Sequence, residues 1–180
     1  RLTVQNFQRK FNPEDENIHS KLDEYSKTLI QQIDTMSSIA SAFSNFAKMP
    51  AQQNETLNVV NIVKLALEIF NEDYITFYPE DEEIIAKFDR TQLIRVVTNL
   101  VKNGIQAIPK EQEGRIEVTL FANTEIVRIT VRDNGTGIPE EIRPKLFRLN
   151  FTTKSSGTGV GLYIVQSIIK GAQGRLWFET

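Results

Sequence analysis

From Ile18 to Ala47, apolar or small residues fall at Ile18, Leu22, Tyr25, Leu29, Ile33, Met36, Ala40, Phe43 and Ala47, at intervals of 4, 3, 4, 4, 3, 4, 3 and 4. This spacing predicts a long helix whose apolar seam is close to a heptad with one stutter. Lys21, Asp23, Glu24, Lys27, Gln31, Gln32 and Asp34 occupy the other side, so one face of a rod roughly 45 Å long is wet at 1.5 Å per residue. Upstream, Leu2, Val4, Phe7 and Phe11 read as the end of another helix, and the following NPEDEN as a helix-to-helix turn with a proline and three acids. An antiparallel hairpin over residues 1–50 cannot cover such a stripe alone. Pairing with a second copy would complete a four-helix bundle, so a homodimer is expected.

Around Pro50 to Thr56 the pattern breaks into polar residues, and from there to residue 180 it becomes mixed. LNVV reads as a short strand, Asn61 to Phe70 as a helix, and ITFYP and IIAKF as two strands. Arg90 to Ile108 reads as a long helix with Leu93, Val96, Val97, Leu100, Val101, Ile105 and Ile108 on its buried side. RIEVTLFAN and EIVRITVRD alternate apolar and polar across one short connection, the pattern of a hairpin with one face on a core. Pro139 to Phe147 and Gly159 to Lys170 read as helices, and RLWFE as a returning strand. Antiparallel strands with helices gathered on one face predict an α+β fold, a two-layer α/β sandwich, preceded by the helical hairpin.

Composition narrows the function classes. A formal net charge of −2 and the lack of a basic stripe argue against binding along a nucleic-acid backbone. With no cysteine there is no disulfide, thiolate nucleophile or sulfur-ligated zinc, and a reducing, cytoplasmic setting is expected. No run of about 18 apolar residues occurs. Both ends fall within element-like patterns, so the sequence is expected to be part of a longer protein, with any membrane attachment through upstream segments.

Three segments concentrate glycine or carboxamide where a fold has no structural need of them. In NLVKN, Asn99 and Asn103 lie four residues apart on one helix face, able to offer oxygens to a hard cation and amide hydrogens to phosphate or water. In DNGTGIP, Gly135 and Gly137 permit positive φ or close backbone approach, and Asp133 closes a strand at a loop mouth, where a carboxylate can accept from an exocyclic amine. In SSGTGVGLYIV, Gly157, Gly159 and Gly161 lead into a helix N-terminus, whose unpaired N–H groups suit phosphate oxygens. Neither a Rossmann strand–turn–helix order nor a GxxxxGK[ST] loop is present.

Taken in order, LIRVVTNLVKNGIQAI, DNGTGIP, LFRLNFTTK and GTGVGLYIV resemble the N box, first glycine box, F box and second glycine box of the ATP-binding domain shared by gyrase, heat-shock chaperones, the mismatch-repair protein MutL and, most closely, sensor histidine kinases. The resemblance implies ATP and Mg²⁺ as ligands, with Asn103 as the metal ligand and Asn99 holding the phosphate and water shell. It implies that Asp133 binds the adenine amino group, with Gly135 and Gly137 lining base and ribose. Phe147 and Phe151 would flank a mobile lid, and Gly157, Thr158, Gly159 and Gly161 would let lid and helix close on the phosphates. Thr153 and Lys154 lie in a TTK similar to that of the nitrogen-regulation type, which puts Lys154 near the β- or γ-phosphate and leaves Lys102 as a second basic candidate. Two departures stand out: Gln106 replaces a basic residue common in these kinases, and Gly104 replaces an alanine at up to ~1 kcal/mol in helix propensity. The resemblance also implies one further strand after LWFET.

The hairpin resembles the dimerisation and phosphoacceptor module of these kinases. Yet His19, the single histidine, is preceded by Ile18 rather than an acid and lacks a following Asn-Pro. The phosphoacceptor is therefore expected upstream of Arg1, with no catalytic residue in this segment and His19 as a solvated helix-end residue. The implied reaction is transfer of the γ-phosphoryl group of ATP to a histidine and thence to an aspartate of a response-regulator receiver domain. Two alternatives stay open: an ATP-gated clamp, which calls for a glutamate where Asn99 stands, and a degenerate module that dimerises and binds partners without nucleotide.

Overall fold

The seam between residues 18 and 47 forms one helix, α1 (Ile18–Ala47), in the computed structural model, which describes residues 17–47, 53–149, 151–152 and 159–180. The chain divides into two units, Arg1–Lys48 and Met49–Thr180. In the first, Leu22, Ile33 and Met36 are 37%, 64% and 70% exposed, while Tyr25 and Leu29 are half-buried. The Asp23–Lys27 pair at 2.6 Å is well exposed, so it adds little to the helix. The expected preceding helix, with Leu2, Val4, Phe7 and Phe11, lies outside the described residues. No helix among the described residues is long and apolar enough to cross a membrane.

The second unit begins with β1 (Glu55–Asn58), which pairs antiparallel with β3 (Ile85–Phe88). Here the expectation for LNVV is corrected: Val59 and Val60 are not strand but open the helix α2 (Val59–Leu67). Asn58 decides this, because its Oδ1 accepts from the backbone N–H of Val60 at 3.0 Å and of Ile84 at 3.3 Å, capping the helix and tying it to the approach to β3. The long helix α3 (Arg90–Ala107) starts the same way, with Asp89 accepting from Gln92 N–H at 3.0 Å through Oδ1 and from Gln53 N–H at 3.0 Å through Oδ2.

The main sheet has the order β2 (Ile75–Pro79), β4 (Ile116–Ala122), β5 (Val127–Asp133). β4 and β5 form the expected antiparallel hairpin, but β2 runs parallel to β4. The antiparallel expectation is thus corrected in part: β3 and α3 lie between β2 and β4, and a crossover of that length returns the chain in the same direction. α2 and α3 pack on one face, where Val60, Val63, Val97, Val101, Ile116 and Val118 are fully buried in one core, each worth about 1.5–3 kcal/mol of apolar burial. On the other side of α3, Val96 meets Val165 and Ile168 of α4 (Gly161–Gly171). The arrangement is the predicted α+β sandwich of two layers, with α3 central among the helices.

Two more expectations change. Pro139 to Phe147 contains only a 3-10 helix, Glu140–Lys145, with Pro144 inside it; proline supplies no backbone donor to continue a regular helix. RLWFE is not a strand, since residues 172–180 carry no regular element. Its end is held by side chains instead of ladder hydrogen bonds: the Arg128 guanidinium lies 5.5 Å from the Trp177 ring centroid and 5.8 Å from that of Phe121. The Phe147 and Phe178 rings are 6.1 Å apart, and Arg143 donates to the Thr180 hydroxyl at 2.6 Å.

Candidate functional site

One stripe of α3 organises the site. Asn99, Asn103 and Ala107 recur every four residues and so line one face, over about 12 Å of helix. At the N-terminal end of the stripe stands Gly161, the first residue of α4. A Cβ there would come within 2.7 Å of Asn99 Oδ1, so glycine is what lets the start of α4 close on the carboxamide. Asn99 is itself oriented by donating from Nδ2 to the Arg95 carbonyl at 2.7 Å. The N-cap residue of α4, Val160, provides no side-chain cap, leaving an N-terminus of the kind that receives anions.

At the other end, the loop after β5 rests on the last turn of α3. A Cβ on Gly135 would meet the Ala107 backbone carbon and oxygen at 2.7 Å, and Thr136 N–H donates to the Ala107 carbonyl at 3.1 Å. Gly137 differs: it has φ +70° with open space around it, so there the backbone conformation demands glycine. Gly159 likewise has φ +65°. Asp133 ends β5 opposite Ile116, and its Oδ1 accepts from Gly135 N–H at 2.9 Å. The departure at Gly104 acquires a reason here. A Cβ at 104 would lie 3.3 Å from the Asp133 Cβ and 3.4 Å from Ile116 Cδ1, so glycine lets α3 sit close beneath the carboxylate.

Between these ends lies Asn103. Its Nδ2 is buried and has no hydrogen-bond partner, and among the described residues it is the side-chain polar atom in that state. Such a group costs about 1–3 kcal/mol if nothing completes it. The structure thus brings Asn99, Asn103, Gly135 and Gly161 along one helix face, with Asp133 over the adjoining Gly104 and exposed Gly137 in the same loop as Gly135. Phe151 is half-buried, its N–H donating to the Arg148 carbonyl at 3.3 Å, and Lys102 is exposed on the turn beside Asn103. Thr153, Lys154, Gly157 and Thr158 lie outside the described residues.

Residues 88–180 match the family described as histidine kinase-, DNA gyrase B-, and HSP90-like ATPase. The chain belongs to this ATPase family. An NtrY-like sensor histidine kinase of Rickettsia conorii is 33% identical over 174 residues, 94% of this chain and 29% of that protein. Among solved structures, the nucleotide-free catalytic domain of histidine kinase ThkA is 32% identical, with a TM-score of 0.60 over 66% of this chain and 81% of that one. ThkA in complex with the response regulator TrrA overlaps 96% of this chain and 51% of that one, at 24% identity and a TM-score of 0.64. The chain spans less than a third of the length of the Rickettsia relative.

Sequence reasoning missed the ATPase domain's two helix caps and the contacts that explain Gly104. Asp89-Arg90-Thr91-Gln92 carries a legible cap signal, an acid followed three residues later by glutamine. For Gly104 no local signal exists, since its neighbours come from β4 and β5. A groove of 370 Å³ between the second half of α4 and the C-terminal segment, lined by Gln166, Lys170 and Trp177 among others, lies away from Gly161 and has none of the site's carboxamides or loop glycines.

Proposed function

We propose that this ATPase domain is the nucleotide-binding catalytic part of a sensor histidine kinase, which holds ATP with Mg²⁺ along the Asn99–Ala107 stripe. The observation that carries the proposal is the unpartnered Asn103 amide between an uncapped helix N-terminus and a carboxylate-bearing glycine loop. Asp133 accepts from the adenine amino group through Oδ2, since Oδ1 is committed to Gly135. Asn103 suits Mg²⁺ because its oxygen is a hard ligand and its orphaned Nδ2 can donate to a phosphate or to metal-bound water. When bound, the cation neutralises phosphate charge during transfer. Asn99, Gly159 and Gly161 receive the phosphates at the start of α4. Lid residues Thr153, Lys154, Gly157 and Thr158 are assigned to the same end on the family resemblance, as is Phe151 to the lid's flank.

The reaction is transfer of the γ-phosphoryl group to a histidine and onward to an aspartate of a response-regulator receiver domain. The complex of ThkA with TrrA supports that class of partner. A glutamate base one turn before Asn103 is absent because Asn99 stands there, which favours phosphoryl transfer over a hydrolytic clamp. His19, exposed at the start of α1, is assigned no part in it. α1 is proposed to form the dimer and to lie on the cytoplasmic side, where ATP is supplied. The test is labelling with γ-phosphate-labelled ATP. A longer chain extending upstream should take up an acid-labile label that Asn103→Ala abolishes. Self-labelling by the 180-residue chain that His19→Ala removes would overturn the assignment.

A further inference from the structure

Asn134 has every polar group occupied. Its Oδ1 accepts from Arg115 N–H at 2.8 Å, and its Nδ2 donates to the Glu113 carbonyl at 2.9 Å. Its own N–H donates to the Arg115 carbonyl at 3.2 Å, and its carbonyl accepts from Gln112 Nε2 at 2.5 Å. All four partners belong to the connection between α3 and β4. That connection is pinned at its far side, because Gly114 lies flat against the Tyr74 ring, where a Cβ would come within 2.9 Å of three ring carbons, and Ile116 N–H donates to the Tyr74 carbonyl at 3.0 Å.

The next residue on one side of Asn134 is Asp133, and on the other Gly135, which is seated on Ala107. Asp133 itself is exposed, and its carboxylate accepts from Gly135 N–H within the same loop. A carboxylate that discriminates between bases must hold its direction; Asp133 is set by its place opposite Ile116, and the loop that leaves it is held through Asn134. We infer that Asn134 is the positioning residue of the base-reading carboxylate: it braces the glycine loop against the Gln112–Arg115 connection, and so against Tyr74, and thereby sets purine selectivity. The inference rests on the proposed adenine role of Asp133. It extends that role to a residue whose Asn-Gly pairing otherwise reads as an ordinary turn.

The experiment measures the ratio of ATP to GTP affinity by calorimetry, well below the melting temperature, for the unmodified chain, Asn134→Ala and the milder Gln112→Ala. Loss of folded protein lowers both affinities equally and leaves the ratio alone, whereas a misdirected carboxylate lowers the ratio. The expected result is a fall in the ratio of about tenfold or more for Asn134→Ala, equivalent to about 1.4 kcal/mol, and a smaller fall for Gln112→Ala. Adding Asp133→Asn to Asn134→Ala should then cost less selectivity than it does alone, because the two act through one group. An unchanged ratio in Asn134→Ala with Asp133→Asn still selective-defective overturns the positioning role alone. Absence of any ATP preference in the unmodified chain overturns the adenine reading and the inference with it. If Asn134→Ala does not fold, Gln112→Ala decides by the same ratio.

Discussion

Gly135 and Gly137 stand two residues apart and are glycine for different reasons, which gives different expected outcomes. At Gly135 a methyl group would strike the Ala107 backbone at 2.7 Å, so Gly135→Ala must lift the loop from α3. It should abolish ATP binding at a temperature where the protein is still folded, as read by calorimetry alongside circular dichroism. At Gly137 there is room but φ is +70°; Gly137→Ala should cost about 1–2 kcal/mol in thermal denaturation while retaining measurable ATP binding. The sequence marks both positions as special and does not separate them, since the separation depends on where α3 lies. Gly104 illustrates the same limit: what looks like a weak helix residue is a place where α3 lies close to Asp133.

At the scale of elements, periodicity read α3 to within a residue and named its buried positions, because Leu93, Val97 and Val101 turn to one core and Val96 to the other. The β4–β5 hairpin was equally legible from alternation. The failures fall where a tertiary partner decides. Val59 and Val60 suit a strand by composition, yet Asn58 caps a helix there. Leu176 to Phe178 suit a strand too, but a strand exists only by pairing, and this segment meets Arg128 and Phe147 through side chains. Because Asn103 sits next to the apolar stripe of α3 and not within it, Asn103→Ala should remove Mg²⁺-dependent nucleotide affinity and leave stability unchanged or raised. Alanine is the better helix former, and the substitution deletes a buried donor without a partner. A loss of more than about 2 kcal/mol in urea denaturation would mean that the amide is structural, at the upper range of ordinary point substitutions.

For the whole molecule, the four boxes and their order made the ATPase domain recognisable, and the fold followed from it. The dimer is a separate proposal, resting on the apolar seam of α1 with Leu22, Ile33 and Met36 left exposed. Leu29→Lys, on the half-buried side of that helix, should convert dimer to monomer in sedimentation velocity; a chain that is monomeric before substitution at high micromolar concentration contradicts the bundle. His19→Ala should change stability by no more than about 0.5 kcal/mol, as an exposed site does.

The most direct measurement is calorimetric titration of the chain with ATP and GTP, each with and without Mg²⁺, repeated on Asp133→Asn. The expected result is Mg²⁺-dependent binding of ATP in preference to GTP, weakened in the variant by about 1.5–3 kcal/mol, the range for hydrogen bonds to charged groups. Equal affinity for the two nucleotides in the unmodified chain, or ATP binding indifferent to both Mg²⁺ and Asp133, would contradict it.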